Sequence, residues 1–463
     1  MIFNSLSELE NFIREYIPKS VEQKYNGDWG LARTKKLLEL AGNPQEKLKV
    51  VHIAGTSGKG STAFLTSQIL ISQGFKVGLT VSPFMFDFRE IFQISGQLLP
   101  EKKVIQYFLE FKKYIDQVEF EVGDNGIIFE KPTYHEIIAS FAYFVFDKEH
   151  VDYAVIEVFM GGLWDCTNTV SNPNKICVIN QIGYDHTEIL GNTIEEIAAQ
   201  KSGIIHVGNE VITIEQEYPL ALEIITNQAA EQQSKLTIIR SQNITNLSYD
   251  GSLQSFDFNL QDFVLVDLKL AMLGRFQVYN CALALTVLER LAMRDEFIIN
   301  ETALRKTLEI SQFSGRMELL EIKYKNQTRK ILLDGAHNEQ KMAALISNLK
   351  DLFAGSKFDF LISFSNSKDS EKMLQQVCSV AGMLTVTEFI LFETKAVTKK
   401  SFVLEEMKAD LDSLGFKNYT LEISLEKAFE IAVESLPTDK ILVITGSLYF
   451  LSFIYKELEK IKS

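Results

Sequence analysis

The sequence of 463 residues has few cysteines, no long apolar run and no excess of positive charge. Its four cysteines, Cys166, Cys177, Cys281 and Cys378, are scattered without CxxC spacing, which argues against a disulfide framework or a zinc site. No stretch reaches about eighteen consecutive apolar residues, and the first twenty residues contain acidic side chains where a signal peptide has an apolar core. These absences predict a cytoplasmic protein with no membrane partner.

The charge balance is acidic, with a formal net charge of −14. Proteins that bind nucleic acid usually present a basic face, so this balance argues against a nucleic-acid partner. The hydrophobic content of 46% and the charged content of 23% are ordinary for a globular protein. Since the chain is longer than one hydrophobic core usually supports, we expect roughly two or three domains.

The clearest motif is a glycine-rich turn between a largely apolar run and a helix. The run Val50 to Ala54 can form a strand buried on both faces, and the turn Gly55-Thr56-Ser57-Gly58-Lys59-Gly60-Ser61-Thr62 follows it. Glycines let backbone N–H groups surround phosphate oxygens, and the following helix N-terminus adds its dipole. Lys59 is then placed to reach the β- and γ-phosphates, and the Ser61 hydroxyl to bind Mg²⁺.

This turn departs from the usual phosphate-loop pattern at two positions. Ile53 stands where that pattern has its first glycine, and Gly60 separates the lysine from the serine. The alternative to a nucleotide site is therefore a tight turn from strand to helix.

Strand and helix patterns alternate along most of the chain. The helix Lys59 to Gln73 is followed by a strand at Lys76 to Val81, and this order implies a right-handed crossover and a parallel sheet. Ligands of such sheets bind at the carboxyl ends of the strands. A second alternation begins after residues 294–300. Its strands are predicted near residues 317–322, 330–333, 358–364, 388–392 and 441–445.

Titratable residues stand at or beyond the ends of several predicted strands. Glu157 ends an apolar strand pattern, where a carboxylate needs either a bound cation or a structural salt bridge. His186 follows another strand and is either a neutral metal ligand or a satisfied core histidine. Asp334 and His337 lie in a polar turn after a third strand, which favours a site over a plain turn. Lys201, judged alone, is typical of a solvated helix residue.

Together these motifs resemble the folylpolyglutamate synthase/dihydrofolate synthase family, a branch of the Mur ligase superfamily. The segment Gly55 to Ser61 is close to the family's GTNGKGS, and Glu157 to Asn168 matches most of its EVGxGGxxDxTN. Further matches follow in family order over nearly the whole chain: Ser82-Pro83, Arg89-Glu90, Gly96, Thr133-Tyr134-His135-Glu136, Asp185-His186, Lys201-Ser202-Gly203, Gln277, Asn280, Ser314-Gly315-Arg316 and Asp334-Gly335-Ala336-His337-Asn338. Each match is weak alone, and jointly they are specific.

The resemblance implies an α/β fold in two parts. The N-terminal part would be a P-loop ATPase-type domain with a mostly parallel sheet, and the C-terminal part a Rossmann-like α/β domain. The implied boundaries are 1–297 for an ATP-binding Mur-ligase-type central domain and 298–463 for a C-terminal Mur-ligase-type glutamate-ligase domain. A monomer is also expected.

The resemblance also implies roles for individual residues. Ser61, Glu157, His186 and Lys201 would hold two Mg²⁺ ions, with Lys201 carbamylated so that it becomes an anionic oxygen ligand. The catalytic residues would be Lys59, Lys201, Asp334 and His337. The residues that bind ATP would be Gly55, Thr56, Ser57, Gly58, Lys59, Gly60, Ser61, Thr62, Gln277, Asn280, Arg316 and Asp334, with His337 as a further nucleotide contact.

The implied activity is an ATP-dependent, ADP-forming amide ligase. It would add L-glutamate to a folate-type carboxylate, either dihydropteroate or a folate that already carries glutamate, through an acyl phosphate. One alternative is a related Mur-type ligase for another carboxylate and amino acid. Another is a regulatory protein that binds the nucleotide but has lost catalysis.

Four residues depart from the family pattern in two loops that border the pterin side of the pocket in the family. Phe84 replaces a histidine, Ile91 an arginine, Phe159 a glycine and Leu163 an arginine. The phosphate and metal positions are retained, so the sequence specifies the ligase chemistry better than the carboxylate substrate. Trp164 and the aromatic residues Phe84, Phe86 and Phe88 are candidates for stacking on a pterin ring, with ordinary packing as the alternative.

Overall fold

The computed structural model describes residues 3–18, 29–118, 131–364, 370–393 and 398–462. The chain divides into two compact units. The first comprises Met1–Leu247, Ser255–Lys269 and Val278–Ser311, and the second comprises Ser248–Gln254, Leu270–Gln277 and Gln312–Ser463. The boundary between residues 297 and 298 stays a prediction, because compact units and functional domains need not end at the same residue.

The first unit contains a seven-stranded sheet. Its strands are β1 (Val50–Ala54), β2 (Val77–Thr80), β3 (Gln93–Ile94), β4 (Tyr153–Glu157), β5 (Ile176–Ile179), β6 (Glu210–Ile214) and β7 (Lys235–Ile239). The spatial order is β3-β2-β4-β1-β5-β6-β7, and every neighbouring pair is parallel except β2 with β3. Strands β1, β4 and β5 are buried along their whole length, as strands covered on both faces should be. The predicted parallel sheet is confirmed.

Helices connect these strands and cover the sheet. They are α1 (Leu6–Arg14), α2 (Trp29–Leu40), α3 (Lys59–Ser72), α4 (Glu101–Val118), α5 (Tyr134–Lys148), α6 (Thr187–Leu190), α7 (Ile194–Ser202), α8 (Pro219–Glu231), α9 (Arg275–Asp295) and α10 (Glu301–Ile310). Helix α4 buries Val104, Phe108, Phe111 and Ile115, which are spaced three or four residues apart and so share one face. Strands β8 (Ile244–Tyr249), β9 (Gln254–Leu260) and β10 (Phe263–Leu270) form a small sheet in the order β10-β9-β8.

The second unit repeats the α/β design. Its main sheet has the strands β11 (Glu318–Tyr324), β12 (Gln327–Asp334), β13 (Phe358–Ile362), β14 (Ala381–Thr387), β17 (Tyr419–Glu422) and β18 (Ile441–Thr445), and β15 (Ile390–Glu393) pairs with β16 (Thr398–Lys400). The order is β11-β12-β18-β13-β14-β17, with only β11 antiparallel to its neighbour. The helices are α11 (Glu339–Leu352), α12 (Ser370–Cys378), α13 (Leu404–Ser413), α14 (Leu425–Glu434) and α15 (Leu448–Lys462). The predicted two-part α/β fold class is confirmed.

The strand predicted near residues 388–392 is present as β15, which pairs with β16 and is not part of the main sheet. The main-sheet strand β14, between β13 and β17, was not predicted. Strand β14 begins with Ala381 and Gly382, whose low strand preference hides the start of the pattern. Within the described ranges, no helix is both long and apolar enough to cross a membrane.

A buried ion pair joins two helices of the first unit. Arg33 on α2 donates to the Glu136 carboxylate through Nε at 3.0 Å and through Nη2 at 2.8 Å, and both side chains are about 5% exposed. The same carboxylate accepts the Thr133 N–H at 3.0 Å and so caps the start of α5. Arg33 therefore fixes α2 against the N-terminal end of α5.

We expect Arg33→Ala to destabilise the first unit by about 3–5 kcal/mol, because it leaves the Glu136 carboxylate buried without its cation. The matched control is Lys47→Ala, which removes an exposed ion pair with Asp147 at 3.0 Å and should cost less than about 1 kcal/mol. Urea unfolding followed by circular dichroism measures both. Equal midpoints for the two variants would contradict the structural role of Arg33.

Candidate functional site

The predicted phosphate loop lies at the carboxyl end of β1, between β4 and β5 at the centre of the sheet. Gly55 has φ +145°, and a Cβ there would lie 2.6 Å from the Asn180 Cβ. Gly58 has φ +89°, and a Cβ there would lie 2.4 Å from the Asn280 Oδ1. Both positions therefore require glycine, for conformation as well as for space. Helix α3 begins directly after Gly58, so its N-terminus faces this turn.

Asn180, directly after the carboxyl end of β5, holds the phosphate loop by hydrogen bonds. Its Nδ2 donates to Thr62 Oγ1 at 2.8 Å and to Asn280 Oδ1 at 3.0 Å. The structure thus brings Asn280, a predicted ATP-binding residue, to the phosphate loop. Sequence reasoning missed Asn180, although a polar residue directly after an apolar strand was the same signal that had singled out Glu157.

Two lysine side chains contact one carbonyl oxygen of this loop. Lys59 Nζ donates to the Gly55 oxygen at 3.0 Å, and Lys201 Nζ donates to the same oxygen at 3.1 Å. Lys201 is only 3% exposed, at the end of α7, whose start is capped by Thr193 and Glu196. The expectation that Lys201 alone is a solvated helix residue is wrong, because the fold turns this side chain into the loop.

The residues predicted to bind Mg²⁺ have suitable donor atoms. Ser61 and Glu157 are buried and offer hydroxyl and carboxylate oxygens, which are ligands that Mg²⁺ prefers. His186 is the residue before α6 and lies in an exposed turn, with Nε2 3.8 Å from Asp185 Oδ1. Among the described residues, no three carboxylate, imidazole or thiol side chains form a metal cluster.

The two loops that carry the family departures are joined at Glu157. Its Oε2 accepts the Ser82 N–H at 2.9 Å. Phe84 and Phe159 pack against the same hydrophobic core, and the Phe159 ring centroid lies 5.8 Å from that of His135. Phe88 is fully buried in that core, whereas Phe86 and Trp164 are 53% and 43% exposed. Of the candidates for stacking, Phe88 therefore serves packing, and Phe86 and Trp164 remain accessible.

In the second unit, three predicted site residues gather where β12 ends. Asp334 is 7% exposed and accepts N–H groups from Met317 at 3.0 Å and from Ala336 at 2.9 Å. A Cβ on Gly335 would lie 3.2 Å from Arg316 Nη1, so the Arg316 guanidinium lies close against this turn. His337 Nδ1 bonds to the Gly335 oxygen at 2.8 Å, and its Nε2 lies 3.0 Å from Lys341 Nζ.

Opposing effects set the pKa of the Asp334 carboxyl. Burial raises its pKa to about 6, against the opposing effects of the Arg316 charge and of the two backbone N–H groups.

Gln277, the remaining predicted nucleotide ligand, is buried in the first turn of α9. The roles of Gln277, Arg316, Asp334 and His337 in nucleotide binding stay predictions.

Comparison with known proteins places both units in described families. The Mur ligase middle domain family matches residues 53–288, and the dihydrofolate synthetase C-terminal domain family matches residues 317–457. The chain is 29% identical over 434 residues to the dihydrofolate synthase/folylpolyglutamate synthase of Bacillus subtilis strain 168, covering 93% of this chain and 95% of the relative. It is 28% identical over 429 residues to the folylpolyglutamate synthase of Lacticaseibacillus casei, covering 91% and 92%.

The fold is also similar to solved structures. A solved complex of a folylpolyglutamate synthase (FPGS) with AMPPCP and folate superposes on this chain with a TM-score of 0.78. The two chains are 26% identical, and the match covers 98% of this chain and 99% of the other. The similarity thus extends over both units and over the loops that carry the site.

The raised pKa of Asp334 predicts a pH-dependent stability. Because the folded carboxyl binds its proton more tightly than the unfolded one, its contribution is complete below the unfolded pKa of 3.8 and is lost as pH rises through about 6. The difference amounts to roughly 3 kcal/mol. We expect the stability of the nucleotide-free protein, relative to Asp334→Asn, to fall between pH 4 and pH 6.5 in urea titrations. A constant difference across that range would contradict the assignment.

Proposed function

Because this chain belongs to the Mur ligase middle domain family, we propose that it is an ATP-dependent, ADP-forming ligase that adds L-glutamate to a folate-type carboxylate. The observation that carries the proposal is the glycine-rich loop at the start of α3, where the Lys59 cation and the helix N-terminus face the phosphate position and Lys201 meets the same carbonyl oxygen as Lys59. Relatives that align with more than nine-tenths of the chain are named dihydrofolate or folylpolyglutamate synthases, and a similar solved structure is a complex with AMPPCP and folate. Action as a cytoplasmic monomer, with the domains 1–297 and 298–463, belongs to the same proposal.

The proposed reaction has two steps. An oxygen of the acceptor carboxylate attacks the γ-phosphorus of ATP, the bond to the bridging oxygen breaks, and ADP leaves. The glutamate amine then attacks the acyl carbon, inorganic phosphate leaves with the former carboxylate oxygen, and the amine loses a proton. Both partners in the first step are anionic, so charge neutralisation and positioning dominate its barrier.

Residues of the first unit would supply that neutralisation. Lys59 would leave the Gly55 oxygen for the β- and γ-phosphates, while the loop N–H groups and the start of α3 hold the phosphate oxygens. Two Mg²⁺ ions, when bound, would polarise the phosphates, held by Ser61, Glu157, His186 and Lys201.

We propose that Lys201 acts as a carbamate. Its neutral amine adds to carbon dioxide and releases one proton, which replaces a buried cation by an anionic oxygen ligand. Support comes from the burial of Lys201 beside Lys59, because carbamylation would place an anionic group next to the Lys59 cation in a medium of low dielectric.

The test is substrate-dependent ADP release with ATP, Mg²⁺ and L-glutamate, comparing dihydropteroate, tetrahydrofolate and no acceptor. We expect release that requires one of the pterins, and Lys59→Ala should reduce it by at least about 100-fold. Lys47→Ala, on the surface, is the matched control and should retain activity. Nucleotide binding without pterin-dependent release would contradict the proposal, and would favour another carboxylate or a regulatory role, as the changes at Phe84 and Phe159 allow.

Added short carboxylates should partly restore the activity that is lost with the Lys201 side chain. We expect Lys201→Ala to lower ADP release by about 100-fold and short carboxylates such as acetate to restore on the order of tenfold, by replacing the anionic oxygen. Chloride at equal ionic strength is the control and should restore nothing. Full activity of Lys201→Ala without additives would remove this residue from the site.

A further inference from the structure

The loop of residues 158–168 connects two residues of the proposed site. It leaves β4 directly after Glu157 and then packs against the end of α7, where the Leu163 N–H donates to the Gln200 oxygen at 2.6 Å. A Cβ on Gly162 would lie 2.6 Å from that oxygen and 3.1 Å from the Lys201 Cα. The loop thus lies directly against the backbone of Lys201.

A buried carboxylate holds the loop in this shape. Asp165 accepts the Met160 N–H at 2.7 Å, the Thr167 N–H at 2.9 Å and the Thr167 hydroxyl at 2.5 Å. The first bond fixes the segment that follows Glu157, and the other two fix the segment that returns to the core. At the far end, Asn168 Nδ2 donates to the Gly203 oxygen at 3.0 Å, just beyond Lys201.

This hydrogen-bond chain ends on β1. Nε2 of His52, which is completely buried, lies 2.8 Å from Thr167 Oγ1. The Thr167 hydroxyl gives its one proton to Asp165, so it accepts from His52, whose Nε2 therefore carries a proton. Burial lowers the pKa of His52 well below its usual value, which favours the neutral ring.

We propose that His52 and Thr167 are positioning residues that set the separation between Glu157 and Lys201. Strand β1 carries His52 and continues into the phosphate loop, so one strand would align the phosphate loop and both proposed metal ligands. This inference rests on the proposed function, because it needs Glu157 and Lys201 to bind metal. Residues that do not bind the metal but orient its ligands affect metal affinity. Their loss typically weakens metal binding by 10- to 100-fold.

The test measures Mn²⁺ binding in the presence of AMPPCP by electron paramagnetic resonance, on the full-length protein. Thr167→Val preserves the shape but removes the hydroxyl, and we expect it to weaken Mn²⁺ binding by at least about tenfold. Thr167→Ser keeps the hydroxyl and is the matched control, which should stay within about twofold of the original protein. Thermal unfolding of each variant is measured alongside.

The outcomes separate this inference from the proposed function. Unchanged Mn²⁺ affinity in Thr167→Val, with only a lower melting temperature, would overturn the inference and leave the proposed function standing. Absence of Mn²⁺–AMPPCP binding in the original protein would overturn both. If Thr167→Val fails to fold, His52→Leu serves in its place, since it leaves the bond between Thr167 and Asp165 intact. Original affinity in His52→Leu would then overturn the inference, and a loss of about tenfold or more would support it.

Discussion

The side-chain nitrogens of two lysines share the carbonyl oxygen of Gly55, and this contact joins the phosphate loop to the end of α7. One belongs to Lys59, at the start of the helix that follows the loop, and the other to Lys201, from a helix more than 140 residues further along the chain. In the proposed enzyme Lys201 carries a carbamate, so that an anionic group stands beside the Lys59 cation in place of a second cation. The loop then offers the Lys59 ammonium group to phosphate and an oxygen on Lys201 to Mg²⁺.

Close packing and hydrogen bonds hold the phosphate loop in place. Gly55 passes so close to Asn180 that no larger residue fits, and Asn180 in turn bonds to Thr62 and Asn280. The loop is thus fastened to β5 and α9 as well as to its own helix. Such fixed donors need little reorganisation when charge moves during phosphoryl transfer, which is where preorganised sites gain most of their effect.

The sequence alone predicted the elements whose signals are local. The strand β1, the turn at Gly55 and the polar turn at Asp334 follow from residue types that lie side by side, and the structure has all three. Lys201 was different, because a lysine in an amphipathic helix pattern carries no sign of the loop that it meets in the folded chain. Its role in the site came from the family resemblance, and its burial from the fold.

Two other features lay beyond sequence reasoning, each for a different physical reason. The contact of His52 with Thr167 joins residues 115 positions apart, and each looks ordinary in its own strand or loop. A contact of this kind depends on the packing of the whole sheet and not on local pattern. Strand β14 was missed for a local reason, because the small residues Ala381 and Gly382 open it.

The most direct test of the account follows one oxygen atom. The acceptor carboxylate is labelled with ¹⁸O, the reaction is run with ATP and L-glutamate, and the inorganic phosphate is analysed by mass spectrometry. If the carboxylate attacks the γ-phosphorus, each phosphate carries one oxygen from the acceptor. Phosphate that contains no label, formed while amide product accumulates, would contradict the acyl-phosphate mechanism and with it the role assigned to the Lys59 loop.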